Sequence, residues 1–247
     1  MSAQGRSPRG GDGSDLFPTA AWPVARLLER YPLPVGRWLE PCAGDGAIIR
    51  AVRDASYGEI DWTAVEIRED CRPMLEALSD VRSMIADFLS DDGDERLFDV
   101  AITNPPYVLA GEFLARCLKR TRHVAFLLRV GFLESESRNA FMATCPPDLY
   151  ILPNRPQFDL TRKGTDATTY AWHVWDADEL ERPYGRVCIL NTTPQEIRKA
   201  QRAELLRSYA PVVERLKAER EAGSVKLVAP ETNDGDESDA DEDSISV

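Results

Sequence analysis

The segment Asn104-Pro105-Pro106-Tyr107 contains the residues whose types and order most clearly suggest a chemical reaction. Two consecutive prolines fix φ and donate no backbone hydrogen bond, so they stiffen the loop and the carbonyl groups before it. The side-chain oxygen of Asn104 and the carbonyl oxygen of Pro105 could then accept both hydrogens of one planar amine. Because an aryl amine delocalises its lone pair into the ring, holding both hydrogens would localise that pair for attack on a methyl group.

Tyr107 offers an aromatic face on which a nucleobase could stack. Such stacking is worth roughly 1–3 kcal/mol per base. A base that carries the reacting amine must be flipped out or already single-stranded, because the amine is paired within a duplex. The plainer interpretation of the segment is a loop that the two prolines stiffen without any chemical role.

A second unusual segment, Glu40-Pro41-Cys42-Ala43-Gly44-Asp45-Gly46, joins a predicted strand to a predicted helix. Two glycines in such a turn let the backbone approach a ligand closely. The spacing differs from the Gly-x-Gly-x-x-Gly pattern of nicotinamide binding, and carboxylates at Glu40 and Asp45 would repel a pyrophosphate. They suit a cationic ligand with an amino group, and S-adenosylmethionine has both a sulfonium and an α-amine.

Acidic residues also follow the next two predicted strands. Glu66 could accept both hydrogen bonds of a ribose diol. Asp87 could accept a hydrogen bond from an adenine amine while Phe88 covers the ring. Taken singly, each acid is more simply a cap or a solvated turn residue. Their joint placement favours a ligand site, because the carboxyl ends of parallel strands meet at one edge of a sheet.

Alternating strands and helices must position these residues. Apolar patterns predict strands at 36–40, 61–66, 83–86, 98–103, 124–128, 149–152, 170–175 and 186–190. Helical patterns lie around 24–28 and at 47–55, 71–78, 112–120 and 195–221. This alternation predicts an α/β fold whose strands are mostly parallel and buried on both faces, as the wholly apolar run 124–128 indicates.

The charge of the chain is unevenly distributed. The 247 residues carry a net charge of −12, which is unusual for a nucleic-acid-binding protein. Residues 231–247 contain eight acidic residues and no basic one, so the remainder has 34 acids against 30 bases. We predict a disordered arm at 1–14, one folded domain at 15–222 and a disordered acidic tail at 223–247. That tail either aids solubility or competes with phosphate for the binding face.

Several classes of protein are disfavoured by what the sequence lacks. No apolar run is long enough for a membrane span, and residues 1–14 have no signal-peptide stretch. Five widely spaced cysteines without a Cys-x-x-Cys pair predict reduced thiols and a cytoplasmic protein. Neither His123 nor His173 has metal-ligand spacing to another His or Cys, so no metal is expected. We expect His173 to pack in its strand rather than to catalyse.

The sequence resembles the amino-methyltransferases of the class I S-adenosylmethionine-dependent superfamily, with its segments in the order used by adenine-N6 enzymes. More narrowly, it is similar to small phage and prophage DNA adenine methyltransferases. The resemblance spans about 15–190. Its matching segments are 15–19, 40–46, 65–66, 86–88 and 104–107, with weaker matches at 127–129, 132–134, 153–158 and 170–175.

The resemblance implies a seven-stranded, Rossmann-like mixed sheet with helices on both faces, and S-adenosylmethionine as cofactor. It implies methyl transfer to adenine N6 in DNA, and closure of 17–19 over the methionine part of the cofactor. Ala20 stands where the family usually has proline, and no stretch is long enough for a separate target-recognition domain, which favours short or relaxed recognition.

The residue types and the family resemblance together predict one set of site residues. Those predicted to bind the cofactor are Phe17, Thr19, Glu40, Cys42, Gly44, Gly46, Glu66, Ile67, Asp87, Phe88 and Asn104. Those predicted to be catalytic are Asn104, Pro105, Pro106 and Tyr107. Those predicted to bind the nucleic-acid substrate are Tyr107, Arg129, Phe132, Arg155 and Phe158.

Other functions remain open at this point. RNA adenine presents the same amine, and protein-glutamine methyltransferases share the Asn-Pro-Pro-Tyr sequence, although their first loop is usually Gly-Thr-Gly-Ser-Gly and a helical substrate domain precedes their sheet. A non-catalytic binding protein could also retain the fold. The polar segment 155–170, with Arg162, Lys163 and Gly164, could contact phosphates or be an ordinary solvated loop.

Overall fold

The computed structural model describes residues 18–90, 97–161, 168–179, 182 and 184–221. Phe17, the predicted arm at 1–14 and the predicted acidic tail lie outside the described residues, as do Arg162, Lys163 and Gly164.

Helices and strands alternate through most of the described chain. The strands are β1 (Gly36–Glu40), β2 (Ile60–Glu66), β3 (Val81–Ile85), β4 (Phe98–Thr103), β5 (Thr121–Arg129), β6 (Asp148–Ile151), β7 (Tyr170–Asp176) and β8 (Val187–Ile189). The helices are α1 (Ala21–Arg30), α2 (Ala47–Asp54), α3 (Arg72–Glu76), α4 (Ala110–Arg120), α5 (Glu136–Thr144), α6 (Gln195–Ser208) and α7 (Ala210–Glu221). Short 3-10 turns occupy Glu69–Cys71, Tyr107–Leu109 and Val130–Leu133.

The strands form one sheet in the order β3-β2-β1-β4-β5-β7-β6-β8. The pairs from β3 to β5 are parallel, β7 runs antiparallel to both of its neighbours, and β8 is parallel to β6. The chain winds outward from β1 to β3 and then returns to place β4 on the other side of β1. Neighbouring β1 and β4 therefore mark the point where the winding reverses, and a crevice forms there at their carboxyl ends.

Two hydrophobic layers cover the sheet. On one face α1, α2 and α3 pack against alternate strand residues such as Trp38, Trp62 and Trp172. On the other face α4 packs against the intervening residues, including Leu39 and Phe126. This double covering explains why the central strands are apolar at consecutive positions rather than at every second one. The predicted mixed, mostly parallel α/β sheet with helices on both faces is confirmed.

The predicted number of seven strands is wrong, because the sheet has eight. The additional strand is β8, which extends the sheet beyond β6. Asp148 holds it in place, since its carboxylate accepts hydrogen bonds from the backbone N–H of Arg186 at 2.8 Å and from that residue's guanidinium at 2.6 Å. Leu149 N also donates to the Arg186 carbonyl at 2.7 Å.

The single long helix predicted at 195–221 is two helices in the structure. The break falls at Tyr209, directly before α7. Pro211 explains it, because proline has no N–H with which to bond the carbonyl of residue 207, and its ring would clash with that carbonyl in a continuous helix. Helix α5 was not anticipated, and its sequence shows no regular apolar face.

None of the helices within the described ranges combines the length and the apolar character needed to cross a lipid bilayer.

Candidate active site

The two segments with the most unusual sequences meet at the reversal of the sheet. The turn at 41–46 follows β1, and Asn104 follows the neighbouring strand β4. Ligands of open parallel sheets bind in this crevice, beyond the carboxyl ends of the strands.

The two glycines of the first turn differ in what requires them. Gly44 has φ +55°, and a Cβ at this position would meet no atom within 4 Å, so open space adjoins the backbone. Gly46 has φ +79°, and a Cβ there would lie 2.5 Å from Leu78 Cδ1. The positive φ favours glycine at both positions, and at 46 a side chain would also displace the end of Leu78. The space beside Gly44 leaves room for a ligand.

Three buried carboxylates surround this turn. Glu40 is 2% exposed, and its Oε2 has no hydrogen-bond partner among the described residues. Burial, together with the neighbouring Asp45 and Glu66 carboxylates, raises the pKa of Glu40 well above its usual range. Asp45 pairs with Arg50 and accepts a hydrogen bond from Ala47 N at 3.0 Å, which starts α2. An acidic pocket with an unsatisfied oxygen suits a cationic group.

Glu66 ties the end of β2 to the first turn. Its Oε2 accepts a hydrogen bond from Gly44 N at 2.6 Å, and its Oε1 accepts one from Arg68 N at 3.0 Å. Each oxygen retains a lone pair, so the carboxylate can still bind a diol. The next residue, Ile67, is 49% exposed. An exposed apolar side chain at this edge could pack against a ligand ring.

The residues after β3 play a more structural part. Asp87 Oδ1 accepts a hydrogen bond from Leu89 N at 2.9 Å, so one of its oxygens closes the local turn. Phe88 is buried and stacks on Phe113 of α4 with their ring centroids 5.6 Å apart. Phe88 therefore belongs to the core layer on the α4 face, rather than to a surface that could cover a ligand ring.

Asn104 is oriented by a residue that precedes α1. Its Nδ2 donates to Thr19 Oγ1 at 3.2 Å, and Thr19 is itself buried. Because the amide nitrogen is engaged there, Oδ1 is the atom available to accept a hydrogen bond on the opposite side. Pro105 is buried and Pro106 exposed, so the loop is anchored at one proline and meets solvent at the next.

Cys42 connects the two loops. Its thiol lies 2.8 Å from Thr103 Oγ1 and 3.9 Å from the Asn104 carbonyl oxygen. Burial raises the pKa of this thiol well above its usual range, so it remains protonated and can donate to these oxygens. The turn at 41–46 and the loop at 104–107 are thereby held in fixed relation.

Tyr107, at the end of the loop at 104–107, packs in a cluster of aromatic side chains. The rings of Tyr107 and Tyr170 lie 6.2 Å apart, and Arg129 places its guanidinium carbon 5.1 Å from the Tyr107 centroid. Phe158 meets Tyr170 edge to face at 5.1 Å. Phe158 and Tyr170 are both buried, at 4% and 1% exposed, whereas Tyr107 and Arg129 are partly exposed. Phe158 and Tyr170 therefore support Tyr107 and Arg129, which are the members of this cluster that a ligand can reach.

The other predicted substrate-binding residues differ in exposure. Phe132 is buried, and its ring lies 4.4 Å from the guanidinium carbon of Arg138. Arg155 is exposed on the loop after β6. The Phe132 ring thus packs against the guanidinium of Arg138, whereas the exposed Arg155 can contact solvent or a polyanion.

The structure brings two further residues to the site that the sequence analysis did not select. Arg138 of α5 is one of them. The other is Tyr209, which is 6% exposed and lies beside Asp45. Burial and the Asp45 carboxylate raise the pKa of Tyr209. The apolar spacing of Leu205, Tyr209 and Val213 was a signal that one helix face is buried, but it carries no information on what that face contacts.

His173 is packed, as the sequence predicted. It is completely buried and stacks on Trp175 at 6.1 Å. Burial lowers its pKa to about 4, so the ring is neutral near pH 7. Within the described residues, no cluster of His, Cys, Asp or Glu is arranged to hold a metal ion.

Comparison with known proteins gives similarity at the level of the fold. No family model matches the sequence, and no curated protein matches it. Among solved structures, the chain is similar to the 23S rRNA methyltransferase ErmE, with 14% identity, 75% coverage of each chain and a TM-score of 0.47.

Two further solved structures are similar at comparable levels. The type I restriction-modification system methyltransferase subunit from Streptococcus thermophilus is 13% identical, covering 78% of this chain and 52% of that chain with a TM-score of 0.47. The hMettl16 catalytic domain in complex with MAT2A 3′UTR hairpin 1 is 13% identical, covering 66% of this chain and 72% of that chain with a TM-score of 0.45.

Proposed function

We propose that this chain transfers a methyl group from S-adenosylmethionine to N6 of adenine in DNA. The observation that carries the proposal is the Asn104 amide, which is held through its nitrogen by Thr19 at the reversal of the sheet. That arrangement leaves an acceptor oxygen beside a glycine turn lined by buried carboxylates.

The pocket after β1 fits the cofactor in charge and in space. The open volume beside Gly44 allows close approach to the backbone, and the unsatisfied Glu40 oxygen suits a cationic amine. Glu66 would hold the ribose diol, and Ile67 would pack against the adenine ring. When bound, S-adenosylmethionine supplies a methyl group activated by its positively charged sulfur.

The loop at 104–107 would prepare the amine. Asn104 Oδ1 and the Pro105 carbonyl oxygen accept the two N6 hydrogens, so the nitrogen lone pair is localised and directed to the methyl carbon. The nitrogen–carbon bond would form as the sulfur–methyl bond breaks, with the sulfur keeping the electron pair and leaving as a neutral thioether. The surplus proton on the nitrogen would then leave to water, so no strong general base is required. Tyr107 supports the face of the extruded base.

The choice of nucleic acid rests on the resemblance of residues 15–190 to DNA adenine methyltransferases. The amine chemistry itself is the same for adenine in RNA. An experiment that identifies the methylated nucleoside therefore decides between the two sugars.

The test is incubation of the full chain with labelled cofactor and a panel of duplex DNA, single-stranded DNA, RNA and protein extract, followed by nucleoside analysis. We expect label in N6-methyldeoxyadenosine. Label in N6-methyladenosine would assign the activity to RNA, and label in protein glutamine would assign it to a protein amide. Absence of cofactor binding at millimolar concentration, measured by calorimetry, would contradict the proposal and favour a non-catalytic binding protein.

Two variants connect the activity to the site. Asn104→Ala should lose methyl transfer and retain most cofactor binding, because the turn at 41–46 and Glu66, which would hold most of the cofactor, are unchanged. Asn139→Ala is the matched control, since Asn139 is exposed on α5, and it should behave as the wild type. Methyl transfer by Asn104→Ala at the wild-type rate would show that the amine acceptor is misassigned.

A further inference from the structure

We infer that Arg129 and Arg138 form a phosphate-binding rim that holds the nucleic-acid backbone beside the target base. The inference rests on the proposed function, because it assumes that the loop at 104–107 receives a nucleobase. It goes beyond that function by assigning the contact to the sugar-phosphate chain and by including Arg138 of α5.

Arg129 and Arg138 have no acidic partner among the described residues. Several arginines elsewhere in the chain are neutralised by carboxylates, as in the pairs Arg68–Asp70 at 2.5 Å and Arg122–Asp178 at 2.9 Å. Within the described part of the chain, neither Arg129 nor Arg138 forms an ion pair with a carboxylate. In a chain with a net charge of −12, two cations that have no acidic partner among the described residues require an explanation.

Both guanidinium groups are held in place by aromatic rings. The guanidinium carbon of Arg129 lies 5.1 Å from the Tyr107 centroid, and its Nε donates to Tyr170 Oη at 3.3 Å. Arg138 lies 4.4 Å from the Phe132 centroid and donates Nε and Nη2 to the Phe132 carbonyl at 3.2 and 2.9 Å.

These contacts fix the planes of the guanidinium groups and leave donors for an anion. Arg129 retains both terminal nitrogens, and Arg138 retains Nη1. Both side chains are partly exposed, so the remaining donors can be reached from solvent. A planar guanidinium held on a ring matches phosphate geometry and loses little conformational entropy on binding.

Both arginines lie close to the start of α4. Arg129 lies over Tyr107, and Cδ of Arg138 stands 3.9 Å from where a Cβ of Gly111 would be. Tyr107 begins the short turn that leads into α4, and Gly111 lies in the first turn of that helix. Val108, which is 84% exposed, lies in the same turn. Cations, an aromatic ring and an exposed apolar side chain together are typical of a surface that binds a nucleic-acid strand.

The experiment measures binding of fluorescently labelled single-stranded and duplex oligonucleotides by anisotropy over a range of salt concentrations. Removal of one phosphate contact should reduce the slope of log K against log salt by ~0.9 for duplex DNA and ~0.7 for a single strand. We expect such a reduction for Arg129→Gln and for Arg138→Gln, and about twice the reduction for the double variant.

Two controls separate charge from packing. Arg138→Lys keeps the charge and should keep the wild-type slope. Arg122→Gln removes an arginine that is already paired with Asp178, at the opposite end of β5, and should also leave the slope unchanged. Unaltered slopes in both glutamine variants would overturn the rim, as would binding to polyglutamate with no binding to oligonucleotides.

The inference and the proposed function can fail separately. If the wild type methylates DNA but the glutamine variants keep its salt slope and its KM for DNA, the rim is wrong and the function stands. If arginine-dependent binding occurs without methyl transfer to any nucleic acid, the rim stands and the function is wrong.

Discussion

Asn104 Nδ2 donates a hydrogen bond to Thr19 Oγ1 at 3.2 Å, across 85 residues of sequence. The bond sets the orientation of the amide at the end of β4, because the nitrogen is directed to Thr19 and the oxygen away from it. In the proposed reaction this orientation presents an acceptor, rather than a donor, to the target amine.

Replacing Thr19 by valine should slow methyl transfer. The substitution keeps the shape of the side chain but removes the hydroxyl, so the amide can rotate and present its NH2 to the substrate. Loss of one hydrogen bond of about 1 kcal/mol corresponds to a decrease of roughly fivefold to tenfold in kcat. Single-turnover kinetics would measure it. Thr19→Ser, which retains the hydroxyl, should restore the rate, and an unchanged rate in Thr19→Val would contradict this role.

Cofactor affinity should depend on pH through Glu40. Its raised pKa means that the neutral carboxyl persists above the usual carboxyl range when no ligand is bound. A cationic amine favours the carboxylate, so binding should release a proton, and affinity should increase as pH rises through the raised Glu40 pKa. Calorimetry in buffers of different ionisation enthalpy would measure the proton release. Glu40→Gln should abolish that release, and an equal release from this variant would exclude Glu40 as its source.

The same group has the opposite effect on the stability of the free protein. Between the unfolded-state carboxyl pKa and the raised folded pKa, the folded state holds more protons, so the free energy of unfolding decreases as pH rises. Urea titrations of the ligand-free protein should show this slope, and Glu40→Gln should flatten it.

Tyr209→Phe should weaken cofactor binding with little loss of stability. The hydroxyl lies beside Asp45, which pairs with Arg50 in the turn after β1. Because this buried hydroxyl has no hydrogen-bond partner among the described residues, a bound cofactor would supply one, and loss of that single neutral hydrogen bond should raise the cofactor Kd about twofold to tenfold. Val213→Ala is the control, since Val213 packs in the same cluster as Tyr209 and should lower Tm without changing Kd. A lower Tm with an unchanged Kd in Tyr209→Phe would make Tyr209 a packing residue only.

His173 should make the protein sensitive to mild acid. Its folded-state pKa of about 4 lies below the usual histidine value of 6.5. As pH falls from 6.5 towards 4, the unfolded chain takes up a proton that the folded protein does not, so up to roughly 3 kcal/mol of stability is lost. Urea titrations at several pH values would show a shallower loss for His173→Leu. His123, whose pKa burial also lowers, acts in the same direction and remains in both proteins. An identical pH profile for the variant would contradict the assignment.

Local sequence was sufficient for most of the sheet and for the two loops of the site. Strands β1, β4 and β7 coincide closely with predicted apolar segments, because burial on the sheet imposes a pattern on neighbouring residues. The conformations of the loops after β1 and β4 could likewise be predicted from the sequence, because glycine and proline have backbone preferences that do not depend on distant contacts.

The sequence was less informative where stability comes from packing at a distance. Helix α5 has no regular apolar face, and Phe141 and Met142 stabilise it by packing onto the core beneath. Strand β8 was recognised as a strand, but its place as an eighth member of the sheet depends on Asp148 and Arg186, which are 38 residues apart.

Only the tertiary structure determined which side chains meet at the site. Thr19 lies against Asn104, and Tyr209 lies beside Asp45. Each of these contacts joins segments that have no periodic relation in the sequence. They form because the chain returns across its first strand to wind in the other direction, and residue order alone does not encode distances between segments that winding brings together.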